Sequence, residues 1–452
     1  MTKKENIMGT KPVGKLLMGM AFPIMCSMLV QALYNIVDSA FVSELGQNAL
    51  NAVNLVFPIQ NLMIAVSVGT AVGVNAVLSR KLGQKDYDGA NEIANLSIFL
   101  SVINGLIFAV FGQLFSGRFM SFFTDVPEIA QNGEIYMKIC TAMSFAVFLE
   151  IMFERLIQVT GKTIYQMIIQ MTGAIVNIIL DPILIFGLLG FPKMGVKGAA
   201  IATVIGQMTG MTLGFIINYI KNHEVRLSKL IFKPRLKPII EIYRIGFPAI
   251  LMQSIGSVLI LFMNKILITL DDGAVWVFGV FFKLQSFVFM PVFGITNALI
   301  PIVGYNYGAE YKKRIIKTIK IASSVAFMIM ALGTVIFWTV PSQLLGLFHP
   351  TENLIAIGVP ALRILSICYI FAGINIVASS SFQALGEGMA SLMMSIIRQL
   401  VVILPIAYIL AKTMGLPAVW FAMPIAELAC TALTVIYYKK VYNKKIKSMP
   451  DI

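Results

Sequence analysis

Apolar residues in this chain come in runs of about 20, each closed by a short polar or glycine-bearing segment. That is the length an α-helix needs to cross a ~30 Å hydrocarbon core. Twelve such runs predict spanning helices over 16–43, 51–78, 91–115, 134–158, 163–188, 196–220, 239–269, 275–303, 314–339, 354–382, 389–411 and 417–438. The pattern also repeats. Phe22-Pro23 returns as Phe247-Pro248, 225 residues later, and the same offset relates Gly69 to Gly294, Gly83 to Gly308, Gly133 to Gly358 and Gly161 to Gly386. The chain therefore holds two copies of one unit of about 220 residues, with six spans each. An even number of spans gives both copies the same orientation, so an axis along the membrane normal is expected to relate them. The predicted fold class is an all-α integral membrane protein of twelve transmembrane helices in two parallel six-helix lobes. The lobes are expected at 1–220 and 239–452, joined by a basic linker at 221–238.

Composition agrees with that reading. Of 452 residues, 58% are hydrophobic and only 12% are charged, about half the charge of a soluble domain. A soluble globular protein is excluded. The net charge of +14 raises nucleic-acid binding, but no basic module stands outside the spans to carry it. Instead the basic residues gather at span ends on one side. They are Lys3, Lys4, Lys11 and Lys15, then Arg80, Lys81 and Lys85, the linker set Lys221, Arg226, Lys229, Lys233, Arg235 and Lys237, then Lys312, Lys313, Arg314 and Lys317, and the tail from Lys439 to Lys447. The other side carries mainly Glu44, Asp125, Glu128, Asp271, Asp272 and Glu352. The positive-inside rule predicts both termini in the cytoplasm. The polar start, Thr2 to Lys15, leads into a full-length span, so no cleavable signal peptide is expected. Cys26, Cys140, Cys368 and Cys430 each sit in an apolar run without paired spacing and read as small core residues.

Charges inside the spans are the candidate chemistry, because each costs ~2.5–3.5 kcal/mol at the bilayer centre. The first copy holds Asp38, Glu150, Glu154, Arg155 and Asp181; the second holds Lys265, Lys283, Arg363, Arg398 and Glu427. One copy is weighted acidic and the other basic. At ~1.5 Å of rise per residue, Asp38, Asp181 and Thr203 fall at matched depth in the outer half of the bilayer, and Asn177 lies one turn from Asp181 on the same face. Two carboxylates, an amide and a hydroxyl make an all-oxygen pocket suited to Na⁺ or to a proton shared between acids. Interhelical hydrogen bonding is the competing reading. Glu150 and Glu154 lie one turn apart in span four, where Glu154 and Arg155 read equally as an ion pair. The basic set of the second copy reads as snorkelling or as paired with Glu427. The 27 methionines and 31 phenylalanines suit an adaptable amphiphile pocket or lipid-facing surface. No Walker loop, HExxH or nucleophile elbow occurs, so no enzyme is expected. His223 and His349 fall outside the spans, and energy is expected from an ion gradient, with no cofactor beyond Na⁺ or H⁺.

Several stretches resemble the multidrug and toxic compound extrusion (MATE) transporters, in their MepA-like bacterial branch. Ser79-Arg-Lys-Leu-Gly-Gln-Lys-Asp86 is similar to the loop after span two, and Asn177-Ile-Ile-Leu-Asp181-Pro182-Ile-Leu-Ile-Phe-Gly187 to the fifth span. Gly195-Val-Lys-Gly-Ala-Ala-Ile-Ala-Thr203 resembles the start of the sixth, and Pro301-Ile-Val-Gly-Tyr-Asn-Tyr-Gly-Ala309 the second-lobe counterpart of the first loop. The resemblance implies a V-shaped pair of lobes that exports amphiphilic compounds in exchange for Na⁺ or H⁺ across a bacterial plasma membrane. It implies that Asp38, Asn177, Asp181 and Thr203 are the cation-coupling positions, ligating the metal if the ion is Na⁺. It links Glu154 to drug binding; Glu150, Lys283 and Arg398 complete the candidate substrate contacts. Expected partners are amphiphilic small molecules and membrane lipids, with no nucleic acid, and the chain is expected to be a monomer. The alternative is a lipid-linked precursor flippase in which Lys283, Arg363 and Arg398 grip a pyrophosphate.

Overall fold

The computed structural model describes residues 6–227 and 235–450; Lys3, Lys4, Lys229 and Lys233, with the middle of the 221–238 linker, lie outside them. Among the described residues every regular element is helical. The first repeat forms α1 (Val13–Ser43), α2 (Gln47–Gly83), α3 (Tyr87–Phe123), α4 (Pro127–Ala142), α5 (Ser144–Gln158), α6 (Thr163–Phe186) and α7 (Val196–Lys221). The second forms α8 (Leu236–Leu267), α9 (Asp272–Gly308), α10 (Lys312–Thr339), α11 (Glu352–Ser366), α12 (Cys368–Ala384), α13 (Gly388–Met414) and α14 (Leu416–Lys445). Ten of these are long and apolar enough to cross a membrane, and two bent pairs bring the total to twelve if each pair is one crossing.

The bent pairs correct the uninterrupted spans expected over 134–158 and 354–382. α4 and α5 meet at 48°, and α11 and α12 at 43°. The two breaks, at Met143 and Ile367, fall at nearly the same place in each repeat. Apolar sequence runs straight through both, so hydropathy alone cannot reveal them. Hydrogen bonds to neighbouring helices tie the chain on either side of each break. Gln113 Nε2 of α3 donates to the Lys138 carbonyl at 2.8 Å, and Ser144 Oγ bonds back to Gly105 at 2.7 Å. At the other break Thr334 Oγ1 donates to the Ser366 carbonyl at 3.0 Å.

The compact units do not follow the repeat. One comprises Met1–Met25 with Pro248–Ile452, the other Cys26–Phe247. Each boundary falls inside a repeat's first helix, beside the Phe-Pro pair, where proline removes an intrahelical hydrogen bond. The start of α8 belongs to the Cys26–Phe247 unit. There Glu241 pairs with Arg80 at 3.6 Å, and Asn104 Nδ2 donates to the Tyr243 hydroxyl at 3.2 Å. The start of the chain belongs to the other unit, where Arg314 Nη2 donates to the carbonyls of Met8 and Lys11, both at 2.8 Å.

In the Cys26–Phe247 unit, α6 and α7 form a tight hairpin. Gly187 caps α6 in the left-handed region (φ 78°), where a side chain would be strained. The chain then returns with Met194 and Gly195 bonded to the Leu184 and Ile185 carbonyls at 3.0 and 3.1 Å. A Cβ at Gly198 would stand 2.5 Å from the Leu184 carbonyl oxygen, so only glycine lets the helices approach this closely. The hairpin seats on a core that includes Val42, Ala52, Met120, Met137, Ile185 and Ala199, placing the C-terminal half of α6 and the first turns of α7 against α1 and α4.

Candidate functional site

Three helices each present two side chains one turn apart to a common point: Tyr34 and Asp38 from α1, Asn177 and Asp181 from α6, Tyr136 and Cys140 from α4. Residues four apart share a helix face, so the pairing follows from spacing alone. Thr203 of α7 and Gln60 of α2 complete the group. The Asp38 and Asp181 carboxyl groups adjoin each other, and the Tyr34 hydroxyl reaches Thr203. Asn177 Nδ2 donates to Thr203 Oγ1 at 3.4 Å; Gln60 Nε2 donates to the Tyr136 hydroxyl at 3.4 Å and to Cys140 Sγ at 3.9 Å. The four residues expected to couple the cation are thus brought together.

Asp181 is fully buried, with 0% exposure. Both its carboxylate oxygens lack a hydrogen-bond donor, as do Asp38 Oδ1 and Asn177 Oδ1. Leaving one buried acceptor unsatisfied costs about 1–3 kcal/mol, and two ionised carboxylates side by side also repel each other. A proton or monovalent cation between the two acids removes both costs. The donor set is oxygen-only apart from the Cys140 thiol, and no group of three or more His, Cys, Asp and Glu side chains suited to a metal occurs among the described residues. The site fits H⁺ or a hard monovalent ion better than a transition metal.

A second polar group lies further along the α6–α7 seam. Glu150 of α5 adjoins Glu154 and lodges where two glycines leave room. A Cβ at Gly173 would stand 3.2 Å from Glu150 Oε1, and one at Gly210 would overlap the carboxylate. Gly173 precedes Asn177 by one turn, so the Glu150 niche and the Asp181 site share one face of α6. Glu154 and Arg155 are both buried. Arg155 Nη1 donates to Gln158 Oε1 at 2.8 Å, and Asn75 Nδ2 donates to the same oxygen at 3.4 Å.

The basic residues of the second repeat have no partner in common. Lys265, Lys283 and Arg363 are exposed. Lys283 stands over the Phe348 ring at 5.7 Å, and Arg363 Nε donates to the Trp338 carbonyl at 3.3 Å. Arg398 alone enters a buried network: its Nη1 donates to Glu427 Oε1 at 3.0 Å, while Asn375 Nδ2 donates to Glu427 Oε2 at 2.7 Å. Arg398 lies in a π-helical stretch, Ile397–Ile403, a distortion frequent at functional sites. Asn375 follows Glu150 by the repeat offset of 225.

Against known proteins, the MatE family model matches residues 23–183 and 248–409. Its two segments begin at Pro23 and Pro248, so each falls within one repeat. This chain belongs to the MatE family. Among curated relatives of this MatE protein, a multidrug export protein MepA from Staphylococcus haemolyticus (strain JCSC1435) is 29% identical over 95% of this chain and 94% of its own. A multidrug resistance MATE family transporter solved in an outward-facing conformation superposes with a TM-score of 0.90, at 27% identity, over 99% of this chain and 100% of its own. A MOP superfamily transporter from Pyrococcus furiosus Vc1, whose binding pocket is described as having reverse polarity suggestive of a different function, gives a TM-score of 0.91 at 26% identity, over 99% and 100%. The twelve-helix, two-lobe fold of MATE transporters is therefore the fold of this MatE chain.

The sequence reading groups Asp38, Asn177, Asp181 and Thr203, which the structure brings together; it does not include the neighbouring Tyr34, Gln60 and Tyr136, and Cys140 is the small buried core residue it expects. The available signal was spacing: Tyr34 precedes Asp38 and Tyr136 precedes Cys140 by one turn.

Proposed function

We propose that this protein is a cation-coupled antiporter that exports amphiphilic compounds, with Asp38 and Asp181 as the coupling acids. The observation that carries the proposal is Asp181, wholly buried with neither oxygen satisfied and a second carboxyl group adjoining it. Such a pair exchanges a proton or Na⁺ readily, because the unloaded state is the costly one. Asn177 and Thr203 orient the pair and supply oxygen ligands. Glu150 and Glu154, further along the same seam, are the acidic contacts for a cationic substrate; Arg398 offers the remaining donors of its guanidinium to an anionic group. Naming of the relatives as multidrug exporters supports the substrate class. One charge moved through ~100 mV supplies ~2.3 kcal/mol, about 50-fold accumulation of a neutral compound per ion. Basic clusters at the span ends support a bacterial plasma-membrane setting with both termini inside. In liposomes, ethidium efflux is expected under a Na⁺ gradient alone or a pH gradient alone, whichever names the ion, and is expected to vanish in Asp38→Asn. Efflux at the normal rate in that variant overturns the assignment.

A further inference from the structure

We propose that one face of α10, from Lys313 to Met328, is a binding groove for an anionic phospholipid, with the phosphate on three lysines and an acyl chain along the turns beyond. Lys313, Lys317, Lys320, Ser324 and Met328 are all exposed and recur at helical spacing, forming one stripe. With Ile316, Ile321 and Val325 on its flanks, the stripe lines a groove of about 650 Å³. In the same unit α1 passes close by: a Cβ at Gly14 would stand 3.8 Å from Ile321 Cδ1, its nearest contact.

Exposed lysines at a helix end are ordinary in membrane proteins. These three differ in two ways. First, basic neighbours on this unit are already engaged: Arg314 on the Asn306 side chain and two carbonyls, Lys444 and Lys445 on Glu387. Lys313, Lys317 and Lys320 form no ion pair with a described acidic residue, so among the described residues three positive charges on one face stand uncompensated. Second, the stripe does not end in solvent. At ~1.5 Å per residue the lysines span ~10 Å, and the neutral and apolar part from Lys320 to Met328 a further ~12 Å. The whole exceeds the ~15 Å depth of one leaflet's hydrocarbon. The lysine stems pack along the groove while their heads reach the interface. A soluble anion would satisfy only the upper end and a neutral lipid only the lower. A molecule carrying an anionic phosphate on an acyl chain fills both.

The test uses the full chain purified in detergent, with phosphatidylglycerol, phosphatidylcholine and inorganic phosphate as probes, read by bound-lipid count in native mass spectrometry and by shift in Tm. Phosphatidylglycerol is expected to bind at one retained copy and raise Tm; phosphatidylcholine and inorganic phosphate are expected to do neither. The K313Q/K317Q/K320Q variant should lose affinity by about five-fold per lysine removed. The same charge loss in the tail, K439Q/K440Q/K447Q, should leave binding unchanged. Ser324→Trp, which fills the acyl end with the lysines intact, should also weaken lipid binding. Unaltered affinity in the triple glutamine variant, equal loss in the tail variant, an unaffected Ser324→Trp, or inorganic phosphate binding as tightly as the lipid would each overturn the proposal.

Discussion

In the Cys26–Phe247 unit, Asp181 is completely buried and neither of its oxygens has a donor. In the other unit, Glu427 is nearly as buried at 6% exposure, yet both its oxygens are engaged, one by Arg398 and one by Asn375. The same folding unit, used twice, buries a carboxylate in two electrostatic regimes. A satisfied charge is held in place, and its removal is felt as instability. On the proposed function an unsatisfied one takes up a cation, and its removal should be felt in transport.

The largest effect that would sharpen this contrast is on transport. Asp181→Asn is expected to reduce gradient-driven efflux to the leak rate while Tm stays equal or rises, because repulsion with Asp38 disappears. A variant that keeps its efflux, or that unfolds, would erase the distinction between the two carboxylates. Next, Glu427→Ala should destabilise by about 3–5 kcal/mol, since Arg398 is left without its counter-charge. Replacing both partners by apolar residues, Arg398→Met with Glu427→Leu, should recover most of that loss. Denaturation monitored by tryptophan fluorescence reads both. Third, Gly210→Ala drives a methyl group into the Glu150 carboxylate and should cost about 1–3 kcal/mol. Export of cationic substrates should fall more than export of neutral ones, and an even fall across substrates would remove Glu150 from substrate binding.

The smallest effect concerns the loops. Asp86 caps α3, accepting from Gly89 N at 2.9 Å, and takes Lys81 Nζ at 2.8 Å, whereas the repeat-equivalent start of α10 has no side-chain cap. The Lys81 hydrogen bond, helped by Gly89, holds the Asp86 carboxyl below the usual carboxylate range. Asp86→Ala should cost about 1 kcal/mol or less. Because the folded-state value is depressed, the stabilisation is present above the ordinary carboxylate value of about 4 and fades as pH falls through the depressed one. The difference between wild type and Asp86→Asn should therefore shrink on acidification, as read by Tm from pH 7 down to about 3.

What could be read before the structure depended on how far each signal reached along the chain. Span positions were legible because lipid demands about 20 apolar residues whatever the neighbours. Asp38 and Asp181 were legible because a buried acid is costly and two at one depth are harder to explain than one. Met143 and Ile367 were not, since a bend flanked by hydrogen bonds from Gln113 and Thr334 leaves the hydropathy of the bent segment unchanged. Tyr34 and Tyr136 were hidden for another reason: a tyrosine in a span is as much at home in lipid contact as in a polar cluster. Lys283 and Arg363 follow the snorkelling reading, exposed beside Phe348 and Trp338. Only Arg398, whose carboxylate partner sits one helix away, stayed inside.

The boundaries beside Pro23 and Pro248 bear on how such a chain can be divided. Cutting in the 221–238 linker would separate the two sequence copies, but each fragment would keep a helix start that belongs to the other's core and lack the one its own core requires. Two fragments made from separate genes would have to exchange these opening segments, as a domain-swapped heterodimer does, before either was complete. A circular permutant joining residue 452 to residue 1 and opened beside one of the prolines would face no such exchange across that cut. The duplication that wrote the sequence and the cooperative blocks that hold the fold are thus out of register by the length of half a helix.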